Sequence, residues 1–235
     1  MVPARVARLT PDVLEAVLRH PPPAELGPAP RPVAREHVAE EVRDEQHAAA
    51  LHVAPQIIKG HLPELERARV GGANEAHLLS MQGNLANTYH TVGKKDEAVR
   101  IEQDVYSGKL RLHGEEDDST LVAANNYATS LLELKRFKEA KKLLRKMIPV
   151  ARRVLGESDD LTLKMRWNYA EALYQDPGAN LDDLCKAVAT LEETERTARR
   201  VFGSSHPETP RVQTALKQAR EALAARATSS SAGAA

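Results

Sequence analysis

The sequence predicts an all-α, right-handed solenoid of stacked helical hairpins, because a three-residue pattern recurs along the chain at a fixed spacing. The triplet Asn126-Tyr127-Ala128 occurs 42 residues earlier as Asn84-Leu85-Ala86 and 42 residues later as Asn168-Tyr169-Ala170. Gly114 and Gly156 follow the same 42-residue period and can each end a unit. A fixed period of about 34 to 45 residues is typical of repeated supersecondary units that stack on one another.

Each unit reads as two helices. In the central unit, apolar residues recur at steps of three and four between about Thr120 and Leu134, which places them on one helical face. Lys135 and Arg136 make a turn, and a second helix follows with this inner face: Phe137, Ala140, Leu144, Met147, Ile148, Ala151 and Leu155. The acidic residues at each unit boundary can accept hydrogen bonds from the free amides of the next helix.

The repeat organises the chain from residue 75 to residue 226. We expect units at about 75–116, 117–158 and 159–205, with a longer hairpin turn at 176–180 in the third. A single helix at 210–226 would cover the last open face, as a solenoid requires. Residues 1–74 lack the repeat and are broken by prolines, so we expect short helices in a poorly structured region. The serine- and alanine-rich tail, 227–235, is expected to be disordered.

Composition narrows the functional class. Lysine plus arginine and aspartate plus glutamate both number 33, so the net charge does not call for nucleic acid or a membrane surface as partner. No apolar run approaches the roughly 20 residues that span a bilayer, and a cytoplasmic location is expected. The single cysteine, Cys185, excludes an intrachain disulfide, and we expect it to be buried in a second helix. The oligomeric state stays open.

Motifs for catalysis or metal binding are missing from the sequence. It contains neither a Gly-x-x-x-x-Gly-Lys phosphate loop nor a Gly-x-Ser-x-Gly elbow. The histidines lack the spacing that directs two ligands from one helix, and paired aspartates fall at helix starts, where capping explains them. We therefore expect no enzyme activity, no metal and no cofactor.

The repeat resembles the tetratricopeptide repeat of the kinesin light chain type. The alanines of the triplets match the small residue of that family's helix crossing, and Gly93 matches its turn glycine, which Lys135 replaces in the central unit. A phrase between repeats, LGxxHPxT in the family, occurs as FGSSHPET at 202–209 and in degraded form at 155–162. The resemblance implies a helical solenoid that binds peptides on its concave side.

Three asparagines in register form the first candidate site. Asn84, Asn126 and Asn168 precede the crossing alanines by two positions, about 200° around the helix, so they should face the concave surface. Asn87 and Asn125 lie on the same broad side. An amide both donates and accepts hydrogen bonds, so such a row can hold an extended peptide backbone, as the resemblance also implies. The alternative is that these amides bond neighbouring helices and keep the stack in register.

Two neighbouring residues and one basic helix complete the predictions. Trp167 offers either an aromatic wall of the groove or a residue packed between units, and Lys164 would favour an acidic partner.

We therefore predict a non-catalytic scaffold that binds an extended peptide segment in its concave groove. The alternative is an RNA-binding repeat protein that uses the basic helix 138–153, although acids interleave there and aromatic stacking residues are missing beside it. A solvated surface also explains that helix.

Overall fold

The computed structural model describes residues 58–204, 206 and 208–232, so most of the predicted N-terminal region lies outside the described residues. Residues 58–70 are helical. Seven helices follow: α1 (Glu75–Thr91), α2 (Lys95–His113), α3 (Asp118–Glu133), α4 (Phe137–Val154), α5 (Asp160–Tyr174), α6 (Leu181–Phe202) and α7 (Glu208–Ala232).

Local chemistry explains where the helices begin. Asp117 and Asp159 cap α3 and α5 by accepting hydrogen bonds from backbone amides of the first turn. The tight turns inside the hairpins need a left-handed residue, which is Gly93 (φ 74°) in the first and Lys135 (φ 58°) in the second. Lysine at the second turn carries a steric cost that glycine avoids.

Each helix packs against the next along the chain, and α3 also packs against α5 and α5 against α7. The crossing alanines Ala86, Ala128 and Ala170 are fully buried, so the helix pairs approach closely there. The predicted solenoid of stacked helical hairpins is confirmed, and the described residues contain no strand.

The core runs through the stack in three overlapping clusters. One joins α3, α4 and α5 through Leu144, Met147 and Met165, all with no exposed surface. The last cluster places α7 on α5 and α6 through these residues: Ala170, Leu173, Ala187, Leu191, Val212, Ala215 and Ala219. Helix α7 therefore caps the stack as predicted. It continues to Ala232, so residues 227–232 of the tail that was expected to be disordered are helical.

The environment of Cys185 differs from the prediction. It lies on α6 but is exposed, because the buried positions around it belong to Leu184 and Ala187 on the opposite face of the helix. The expected burial of this thiol was therefore wrong. Periodicity alone did not separate it from its apolar neighbours.

Candidate functional site

A groove of about 450 Å³ lies where α3, α5 and the first turn of α7 meet. Its lining mixes amides, charged groups and one indole: Asn125, Thr129, Leu132, Glu133, Lys135, Lys164, Trp167, Asn168, Glu171, Gln175, Glu208 and Arg211. Four of the seven predicted site residues are therefore brought together, namely Asn125, Lys164, Trp167 and Asn168.

The two asparagines of the groove are bonded to each other across the helix pair. The amide nitrogen of Asn168 donates to Asn125 Oδ1 at 3.0 Å and to Thr129 Oγ1 at 3.1 Å. Asn168 is only 8% exposed, so this amide holds α5 against α3 in a partly dry environment. The donor side of the Asn125 amide makes no hydrogen bond to another described residue, and it lines the groove.

Trp167 forms a wall of the groove with the capping helix beside it. The Arg211 guanidinium lies 5.1 Å from the centre of the indole ring, within the range of a cation–π contact. Arg211 also lies 3.2 Å from Glu208 Oε1. The Trp167 Nε1 donor and the Glu208 Oε2 acceptor are buried without a hydrogen-bond partner among the described residues. Both atoms belong to residues that line the groove, although the atoms themselves are covered. A third covered oxygen of the lining, Glu133 Oε2, lacks a hydrogen bond but has Lys95 Nζ at 3.2 Å.

The charges of the groove are largely compensated internally. Lys164 Nζ lies 2.7 Å from Asp160 Oδ2 on its own helix, so its charge is already paired. Burial raises the pKa of Glu171; the Gln175 amide and Arg211 oppose the rise, and Glu133 reinforces it. Glu133 in turn lies 2.8 Å from His90 Nε2 and 3.2 Å from Lys95 Nζ. The groove thus has no excess of one charge sign.

The remaining predicted residues lie outside the groove. Asn84 and Asn87 are exposed on α1, and Asn126 is partly buried on α3. The 42-residue period equates Asn87 with Thr129, a residue of the groove lining, so α1 carries its amides on the corresponding face. None of these three side chains bonds another side chain within the described part of the chain.

Arg211 and Glu208 were missed from the sequence because they belong to the capping helix rather than to a repeat. The predicted capping helix could have indicated them. A cap that packs on α5 brings its first turn beside the exposed side of α5, where Trp167 lies.

The predicted basic helix is α4. Of its basic residues, Lys141 pairs with Asp176 at 2.7 Å, Lys146 with Glu115 at 3.4 Å and Arg153 with Glu116 at 2.6 Å, while Arg152 pairs with Glu157. Several cations of this helix therefore serve the fold.

Comparisons with known proteins agree with this geometry. The tetratricopeptide repeat family model matches residues 78–119 and 120–160, which hold the first two hairpins. No curated protein sequence matches the chain.

Among solved structures, a Podosopora anserina protein assigned as a kinesin light chain, with nearly identical TPR-like repeats, is 21% identical and has a TM-score of 0.60. The match covers 80% of this chain and 89% of that one. BtubC (BKLC) from P. vanneervenii is 16% identical with a TM-score of 0.62, and 84% of this chain and 81% of that chain are covered.

Residues 78–160 of the chain therefore form tetratricopeptide repeats. The fold of the chain is of the kinesin light chain type. Such repeats generally mediate protein–protein interaction. Among the described residues, no helix has both the length and the apolar character needed to cross a membrane, and no group of three histidine, cysteine or acidic residues is arranged to hold a metal ion.

Proposed function

We propose that the chain is a non-catalytic scaffold that binds an extended segment of a protein partner in the groove between α3, α5 and α7. The observation that carries this proposal is that two residues of an open groove, Trp167 and Glu208, each hold a polar atom without a hydrogen-bond partner among the described residues. Both atoms are covered, so a small rotation of each side chain would bring them to a bound peptide. A buried polar group without a partner is costly, and a ligand that supplies the missing bond removes that cost.

A peptide backbone has the required chemistry, because every residue other than proline offers one carbonyl acceptor and one amide donor. Trp167 Nε1 would donate to a carbonyl, and Glu208 Oε2 would accept from an amide. Asn125 adds a free amide donor, and the exposed Asn84 and Asn87 would continue the contact along α1. These groups contact backbone rather than side chains, so they tolerate varied partner sequences.

Asn168 has a different role in this proposal. Its nitrogen is already engaged with Asn125 and Thr129, so it positions the groove rather than contacting the ligand. The pairing of Lys164 with Asp160 also removes the main reason to expect an acidic peptide in the groove. A cytoplasmic location is a prediction from the sequence. RNA binding has less support, because four of the seven basic side chains of α4 that it would use are paired with carboxylates.

A peptide library displayed on phage and selected on the full chain tests the proposal. For an enriched peptide, Trp167→Phe removes the indole donor but keeps a ring, and Asn87→Ala removes an exposed amide. Each should weaken binding by about 0.5–1.5 kcal/mol. Gln103→Ala, an exposed change on α2, is the matched control and should leave the affinity unchanged. Enriched peptides that bind both groove variants with unchanged affinity would contradict the proposal, as would a selection that enriches none.

A further inference from the structure

The outer face of α4 carries a group of three exposed cations. Lys138, Lys142 and Arg145 are exposed, and none forms an ion pair with a described residue. Their spacing of four and three residues places them on one side of the helix. Together with Lys141 and Lys146 they line a shallow depression of about 370 Å³, and every residue of that lining is basic. We call these three residues the α4 basic face.

The two flanking lysines show what this surface accepts. Lys141 Nζ lies 2.7 Å from the Asp176 carboxylate, and both side chains are largely buried. Asp176 begins the hairpin turn of the third unit, so this contact ties α4 to that turn. Lys146 meets Glu115 at 3.4 Å. Carboxylates from elsewhere in the chain thus already pair with two of the five basic residues of the depression, while the other three form no ion pair with a described residue. The hydrogen bond from Lys141 lowers the pKa of the Asp176 carboxyl, and Lys138 is close enough to help lower it.

The repeat does not require basic residues at these positions. The fully buried Ala98, Ala140 and Ala187 align the second helices, with five extra residues before the third. By that alignment the positions of the α4 basic face are held in the other units by Asp96, Arg100, Gln103, Cys185, Ala189 and Glu192. A run of cations is therefore specific to the central unit.

This run also opposes the stability of its own helix. Lys138 is the second residue of α4, where the helix dipole disfavours a positive charge. Lys138 and Lys142 are four residues apart, as are Lys142 and Lys146, and like charges at that spacing repel. A solvated surface needs charge but not charge of one sign, so the clustering has a use other than folding.

We propose that the α4 basic face docks an acidic segment of a protein partner, independently of the peptide groove. Carboxylates complement the three cations in charge, as Asp176 and Glu115 already do beside them. Single-stranded nucleic acid is disfavoured because its bases need aromatic platforms. The neighbouring rings are engaged in the core: Phe137 is buried, and Tyr106 stacks on Tyr127 at 6.2 Å.

The test is the binding of a fluorescent decaglutamate peptide to the full chain, with a single-stranded RNA oligonucleotide of the same length as the competing probe. Lys138→Gln, Lys142→Gln and Arg145→Gln together should weaken peptide binding about tenfold. The control combines Arg100→Gln, Arg196→Gln and Arg200→Gln, which changes the net charge by the same amount and should have little effect. These three arginines are exposed and form no ion pair with a described residue.

Loss of peptide binding in the first triple variant but not in the second supports the docking site. Equal losses of binding in both triple variants would mean that net charge alone explains the binding, which would overturn the proposal. Tighter binding of the RNA than of the peptide, or no peptide binding by the unaltered chain, would also overturn it. Trp167→Phe should leave decaglutamate binding unchanged, which separates this surface from the groove.

Discussion

The junction between the first and second units differs from the junction between the second and third, although the same asparagine recurs at both. At the second junction Asn168 is buried and bonded to Asn125 and Thr129. At the first, Asn126 is the equivalent residue, and the 42-residue period puts Gly83 and Asn87 in place of Asn125 and Thr129. Asn126 makes no side-chain hydrogen bond within the described residues. The role of a repeat residue therefore depends on what the neighbouring unit places opposite it.

The cores of the three hairpins show a similar contrast. Leu144 and Leu191 fill the same core position of the second and third hairpins with no exposed surface, whereas the first hairpin has Glu102 there. Packing reflects this: α3 contacts α5 and α5 contacts α7, but α1 has no comparable contact with α3 among the described residues. It reaches α3 near its end, through His90 and Glu133. The first unit is thus the less tightly joined part of the stack.

The largest difference in stability between the units is expected when Arg166 is replaced. This residue has no charged counterpart in the first two units. Its side chain is 6% exposed and lies 2.6 Å from Glu193 and 3.6 Å from Glu157. Arg166→Ala removes buried packing and both contacts, so the free energy of unfolding should fall by about 2–4 kcal/mol. Gln82→Ala, at the same position in the first unit, should change it by less than about 0.5 kcal/mol in urea unfolding. Similar losses in both variants would contradict the difference between the units.

A second test uses the pH dependence of stability. Burial raises the pKa of Glu102 to about 7, with the Ser130 hydroxyl opposing the rise and Glu133 reinforcing it. The pKa of Glu102 in the folded chain lies above the unfolded value of 4.5, so the protonated carboxyl favours the folded state. This contribution to stability is complete below the unfolded pKa and is lost as the pH rises through about 7. This loss should amount to about 2–3 kcal/mol between about pH 5 and pH 8.

Glu102→Leu restores the residue type of the other two units and should abolish that dependence. Urea unfolding at several pH values should then show a variant more stable than the unaltered chain at the alkaline end. Glu102→Gln should also flatten the profile, because it cannot ionise. A profile that keeps its slope in both variants would assign the dependence to another group.

Much of the architecture could be predicted from the sequence, because it depends on local patterns that repeat. The first helix of the central unit, predicted from about Thr120 to Leu134, runs over Asp118–Glu133, since capping acids and apolar spacing fix its bounds. The site was harder to predict. Helical phase placed Asn168 on the concave side but could not show its bond to Asn125, which lies 43 residues away. The burial of Arg166 and the contribution of Arg211 likewise depend on helices that only the fold brings together.

The most direct test of the account compares Asn168→Ala with Asn126→Ala, two identical substitutions one repeat apart. Asn168→Ala leaves Asn125 and Thr129 without their donor, so the free energy of unfolding should fall by about 1–2 kcal/mol. Asn126→Ala breaks no side-chain bond and gains helix propensity, so the change should stay within about 0.5 kcal/mol. Urea unfolding of both variants measures the difference. Equal destabilisation, or a larger loss in Asn126→Ala, would contradict the claim that the repeated asparagine fastens the second junction but not the first.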